Sequence, residues 1–162
     1  MRSALLALAL IVPLAAAAQE RGPETNLPLP RYVSMKAAEG YARRGPSSDH
    51  RIDWVFVRRN MPLRVTDEYG HWRRVEDQEG AGGWMHYSLL SGNRTVIVAA
   101  DGVTLHRRPA AGAPRTAELA HGVIASLGDC ARGWCALAVD GTKGWAETAA
   151  LWGVAPDEER EE

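Results

Sequence analysis

Lysine, phenylalanine and cysteine are nearly missing from this chain. Phenylalanine occurs once, cysteine twice, and lysine only at Lys36 and Lys143, so arginine carries almost all of the positive charge. Two cysteines exclude a disulfide-dense miniprotein and an all-cysteine zinc site. Neither charge sign is in excess, with 19 Lys+Arg against 20 Asp+Glu, which excludes a histone-like basic binder and a wholly acidic solvating chain. Beyond residue 18 no apolar run approaches the roughly 20 residues that a spanning helix needs. The five histidines (His50, His71, His86, His106, His121) show neither H-E-x-x-H nor H-x-x-x-H spacing, and no G-x-S-x-G elbow surrounds Ser88 or Ser91. What the chain has instead is 16 Gly, 9 Pro and 6 Trp, the content of an all-β chain with many tight turns and a few large aromatic anchors.

The first residues read as a processing signal. Arg2 supplies a positive charge, Ala4 to Leu14 form an uncharged Leu- and Ala-rich stretch, and Ala16-Ala17-Ala18 offers small residues for cleavage. Residues 1–18 are therefore expected to be a signal peptide, 19–30 a Pro-containing linker, and the mature protein periplasmic or secreted with no membrane span. In an oxidising compartment Cys130 and Cys135 are expected to pair across a turn containing Gly133. A redox pair or half of a zinc site are the alternatives; the first would more usually be C-x-x-C at a helix start, and the second lacks clustered partners.

An internal repeat then sets the architecture. Arg44-Gly45-Pro46 answers Arg107-Arg108-Pro109, Val57 to Val65 answers Leu119 to Leu127, Trp72 answers Trp134, Trp84 answers Trp145 and Leu90-x-Gly92 answers Leu151-x-Gly153, at separations drifting from 63 to 61. Each copy offers five short alternating segments. In the first they lie near 40–43, 54–57, 63–67, 72–76 and 83–86, and in the second near 103–106, 116–119, 123–127, 134–139 and 144–147. Asn60 and Gly122 mark equivalent reversals, and both tolerate positive φ. Five short strands in about 60 residues suit a small barrel better than a sandwich. The expected domains are barrel 1 over 31–93 and barrel 2 over 94–155, followed by an acidic disordered tail at 156–162.

These anchors resemble the bacterial SH3-like domain family, and in particular its exported proteins with two such domains in tandem. The resemblance rests on Arg43-Arg44-Gly45-Pro46, Leu105 to Pro109, Asn60, Gly122, Trp72-Arg73-Arg74-Val75, Gly83-Trp84 and Gly144-Trp145, and runs from Arg31 to Val154. Ala42 departs from it where a larger aliphatic is usual, as do Tyr41 and His106 at the first turn. The resemblance implies tandem five-stranded SH3-like barrels acting as binding or targeting modules of the cell envelope.

The distribution of charge points to the first barrel as the binding unit. Residues 31–94 hold 11 basic and 8 acidic side chains, 95–156 hold 5 of each, and the last six hold five acids and one base. Arginine pairs recur at Arg43-Arg44, Arg58-Arg59 and Arg73-Arg74, and only alternate members of a strand pair share a face. The planar guanidinium fork chelates carboxylates. The candidate ligand residues are Tyr41, Arg43, Trp54, Arg58, Arg73 and Tyr87, with peptidoglycan or its peptide stems as the expected partner and an envelope protein as the alternative. Oxidised cysteines supply no thiolate nucleophile. No enzyme activity, metal, cofactor or nucleic-acid partner is expected.

Overall fold

A computed structural model describes residues 19–161, so the expected signal segment lies outside the described residues. The first unit runs β1 (Arg31–Met35), β2 (Gly40–Arg43), β3 (Ile52–Phe56), β4 (Pro62–Tyr69), β5 (Trp72–Glu76), β6 (Gly82–His86), a 3-10 turn (Tyr87–Leu89) and β7 (Leu90–Ser91). The second repeats it as β8 (Thr95–Val98), β9 (Gly102–His106), β10 (Arg115–Ala120), β11 (Ile124–Ala131), β12 (Trp134–Val139), β13 (Thr142–Glu147), a 3-10 turn (Thr148–Ala150) and β14 (Leu151–Trp152). Each unit forms one seven-stranded antiparallel sheet, in the orders β3-β2-β6-β5-β4-β1-β7 and β10-β9-β13-β12-β11-β8-β14. The repeat is thus exact in topology.

Seven strands replace the expected five. A barrel of β2 to β6 would close β3 onto β4, but β1 occupies that edge of β4, with Arg31 opposite Val65 and Ser34 opposite Pro62. Among the described residues no pairing closes the sheet. β7 is only two residues long and lies on β1, so it offers no alternation to read. β3 also starts two residues and ends one residue earlier than expected, and Phe56 is its buried residue while Val57 is 68% exposed.

Each sheet wraps its own core. In the first, Met35, Phe56, Leu63, Val65, Val75 and Met85 pack together; in the second, Val96, Leu105, Leu127, Leu137 and the two cysteines do. Ala42 stands where the second unit has Leu105, and Met35 and Met85 fill the difference: a Cβ built on adjacent Gly40 would lie 3.0 Å from either methyl. A register shift between Val65 and Asp67 reverses the alternation of β4 and turns Glu68 inward opposite Arg73. The same shift between Leu127 and Cys130 turns Cys130 inward opposite Cys135. One cross-strand position therefore holds a buried ion pair in the first unit and a disulfide in the second.

The flanking segments are docked, contrary to the readings of linker and disordered tail. Residues 19–30 make a turn with a bridge between Arg21 and Pro28, bury Leu29 in the first core and close around Glu68. That carboxylate accepts hydrogen bonds from the Thr25 N–H at 2.9 Å, the Glu24 N–H at 3.1 Å and the Thr25 hydroxyl at 2.7 Å. The acidic end is held because Arg160 bridges Cys130 and Glu158 pairs with Arg94 at 2.9 Å.

Candidate functional site

The six predicted residues do not converge; they fall in three places. Tyr41 and Arg43 lie on the outer face of β2, opposite Val55 and Ile52 of β3. Trp54 lies on the other face of β3, edge-on to Phe56 with ring centroids 6.4 Å apart. Tyr41 and Trp54 are 43% and 44% exposed, so they straddle the first sheet's free edge. The Glu39 carboxylate, hydrogen-bonded to the Tyr41 hydroxyl, holds that phenol above its ordinary pKa. Arg43 donates from Nη1 to the His50 carbonyl at 2.7 Å, which braces the loop leading into β3.

Arg58 is occupied elsewhere, donating to the Gly122 carbonyl of the second unit at 2.8 Å. Arg73 is only 8% exposed; it donates to the Gly70 and Trp72 carbonyls at 2.8 Å and stands 3.5 Å from Glu68. Its charge serves the interior rather than a solvent-facing patch. Tyr87, 49% exposed, lies beside His71 and His86 with centroids 5.5 and 5.0 Å away, and the Arg73 guanidinium approaches its ring at 6.0 Å.

The two units pair their strands in matching register but differ in the side chains they present on two surfaces. At the edge, Tyr41, Ile52, Trp54 and Val55 stand where the second unit has Thr104, Arg115, Ala117 and Glu118, in the same register with the same bulge. A charged edge strand is the usual protection against pairing with other chains. The second unit places Arg115 and Glu118 there, whereas the first has Ile52 and Val55 at those positions and only Asp53, at the bulge, as a charge. On the outer face of the central strands the difference runs the other way. Arg64, Arg74 and Glu76 of the first unit correspond to Ser126, Ala136 and Ala138 of the second.

Both units share a device that sets the second tryptophan in place. A Cβ on Gly83 would lie 2.5 Å from the Arg43 carbonyl oxygen, and one on Gly144 would lie 2.7 Å from the Leu105 Cβ. Only glycine lets β6 and β13 approach their neighbours this closely just before Trp84 and Trp145. The bacterial SH3 domain family matches the chain twice, over residues 36–92 and 99–153.

The chain belongs to the bacterial SH3 domain family. Its two matched stretches each cover six of the seven strands of one sheet, leaving β1, β8 and the docked flanks outside them. Bacterial SH3 domains are commonly cell-wall-binding modules and typically extracellular or envelope-associated. No curated protein matches the chain.

Among solved structures, NlpC2 of Trichomonas vaginalis is similar at 10% identity and a TM-score of 0.36, covering 76% of this chain and 48% of its own. NlpC1 of the same organism gives 10% and 0.36, covering 90% and 50%. An NlpC/P60 family protein from Bacillus cereus gives 13% and 0.35, covering 75% and 55%. The chain thus spans about half the length of these proteins. Among the described residues no helix is long and apolar enough to cross a membrane.

The sequence reading selected the aromatics Tyr41 and Trp54 of this edge but missed Ile52 and Val55, whose exposure depends on β3 being outermost. It also passed over Ser126, Ala136 and Ala138, because small residues carry no chemistry of their own. Their signal was available in the repeat alignment, as the loss of three long charged side chains at matched positions.

Proposed function

We propose that this bacterial SH3 chain is a non-enzymatic, exported module of the cell envelope that binds peptidoglycan or its peptide stems through the edge of its first unit. The observation that carries this reading is the exposed group Tyr41, Ile52, Trp54 and Val55, at positions that are polar, charged or small in the second unit. Aromatic faces left in water are suited to sugar rings and to the apolar bodies of peptides. Arg43, Arg44 and Arg51 beside them supply forked donors for carboxylates, although Arg44 and Arg51 already share Asp53 at 3.2 and 2.7 Å. The bonded state of both cysteines supports a non-enzymatic role, since neither offers a thiolate.

Co-sedimentation of the mature chain with protein-free sacculi tests the proposal. Wild type should pellet, and Trp54→Ala with Tyr41→Ala should reduce pelleting several-fold without lowering the melting temperature. Unchanged pelleting by the folded double variant would refute the edge as the site, and no pelleting by wild type would refute wall binding.

A protein adaptor is the second reading, favoured by the unpaired outer edge of β3, where the first four of its five residues are exposed. An extended strand of an envelope protein could add there by main-chain hydrogen bonding. Binding to crude envelopes but not to protein-free sacculi would select it.

A further inference from the structure

The second unit carries a hollow of about 500 Å³ on the outer face of β11, β12 and β13. Its floor includes Ala136 and Ala138, its walls Trp145, Thr116 and Ser126, and two cations line it, Arg107 and Lys143. In the first unit the same face is filled: Arg74 stands at the position of Ala136, and Arg64 and Glu76 form an ion pair across those of Ser126 and Ala138. Truncation of three side chains around a retained tryptophan opens this cleft on an otherwise matching scaffold.

A second hollow of about 530 Å³ shares Trp145 and Asp129 with the first and continues toward the docked C-terminal segment, where Glu159, Arg160 and Glu161 line it. Asp129, already engaged within the protein, marks the junction. The two hollows give a groove with an indole midway. Arg107 and Lys143 stand at one end with no acidic neighbour in the lining except Asp129, and at the other Glu159 and Glu161 flank Arg160 and outnumber it, which leaves that end net negative. A ligand complementary to that pattern has an extended body, a carboxylate at one end and a cationic amine at the other.

We propose that this groove is a second binding site, for a short peptide bearing both a carboxylate and a free amine. Its carboxylate lies between Arg107 and Lys143, its apolar body lies on Trp145, and its amine lies toward Glu159 and Glu161. The site is distinct from the edge of the first unit. It rests on the wall-binding reading only for the source of the peptide, a cell-wall stem.

Calorimetric titration of the full chain with a disaccharide–tetrapeptide carrying a free side-chain amine tests the assignment. The decisive variant is S126R/A138E, which gives the second unit the ion pair the first already carries on the same scaffold. Binding should weaken at least tenfold with an unchanged melting temperature. Lys143→Gln, an exposed change, should weaken it several-fold, as should acetylation of the ligand's amine, and the disaccharide alone should give no heat.

Full affinity in both S126R/A138E and Lys143→Gln overturns the proposal, as does equal binding of the bare disaccharide or no heat from wild type. The two proposals fail separately. Sacculus pelleting that survives S126R/A138E but is lost in Trp54→Ala removes the groove and leaves the edge, whereas muropeptide heat without pelleting retains the groove and removes binding to intact wall.

Discussion

Replacing Glu68 by Gln should loosen the N-terminal turn while leaving the first sheet paired. Burial by itself pushes the Glu68 carboxyl up, but the Thr25 hydroxyl and N–H, the Arg31 guanidinium and the Glu24 N–H outweigh it and hold the pKa at about 2, against 4.5 for the free group. A group with a depressed folded pKa stabilises the fold fully above its unfolded value and loses that contribution as pH falls through the folded one. The window here runs from about pH 5 down to about pH 2. At ~1.36 kcal/mol per pH unit the full depression corresponds to about 3 kcal/mol, an upper bound because the docked turn lies at the surface.

Glu68→Gln keeps the shape and one accepting oxygen but leaves Arg31, 2.6 Å away, and Arg73 without a counter-charge, at an expected cost of about 2 kcal/mol near neutral pH. Amide hydrogen exchange at Glu24 and Thr25, whose N–H groups donate to this carboxylate, reports the event locally, and denaturant melts report its size. The exchange protection of those two amides should fall tenfold or more in the variant at pH 7. The stability gap between wild type and variant should shrink toward zero near pH 2. A gap below about 0.5 kcal/mol at pH 7, or one that stays constant from pH 7 to pH 2.5, would refute the account of Glu68 as the charged anchor.

Removing the Cys130–Cys135 bond by a double Ala substitution should cost about 2 kcal/mol, the chain-entropy value for so short a loop. Reductant should therefore lower the thermal midpoint of the wild type and leave that of the double variant unchanged. Gly144→Ala places a Cβ 2.6 Å from the Thr116 hydroxyl and 2.7 Å from the Leu105 Cβ, so denaturant melts should show a loss of about 1–3 kcal/mol. The control Gly112→Ala, which meets nothing within 4 Å, should stay within about 0.5 kcal/mol. Thr95→Val removes the 2.7 Å hydrogen bond to the Asn60 carbonyl at about 1–2 kcal/mol. Scanning calorimetry should then separate the unfolding of the two units.

The repeat made most of the architecture legible. Matched tryptophans and the reversals at Asn60 and Gly122, with φ of 62° and 78°, located the central strands of both copies to within a few residues. What escaped the reading depended on contacts between distant parts of the chain. β1 is a strand because β4 has a free edge to offer it, and β7 because β1 then does; neither has a pattern that decides it locally. Arg73 looked like a surface charge until the bulge in β4 placed Glu68 opposite it. The ends read as a linker and a disordered tail because Thr25 and Glu158 find their partners more than 40 residues away. The edge aromatics were legible as residue types, whereas the groove over Ala136 and Ala138 is defined by side chains that are missing.

The joint between the units also bears on recognition. Thr95 donates to Asn60, Arg58 to Gly122 at 2.8 Å, and Tyr32 meets Trp152 edge-on with centroids 5.3 Å apart. The two proposed sites, carried on units packed in this way, would engage a polymer with avidity: once one is occupied, the other searches a small volume at high effective concentration. Such linkage raises overall affinity by about 10² to 10⁴ when both sites can be reached together. A chain built like this would hold intact wall, with its closely repeated stems and strands, and release single soluble fragments, so that turnover products shed by the wall would compete poorly for it.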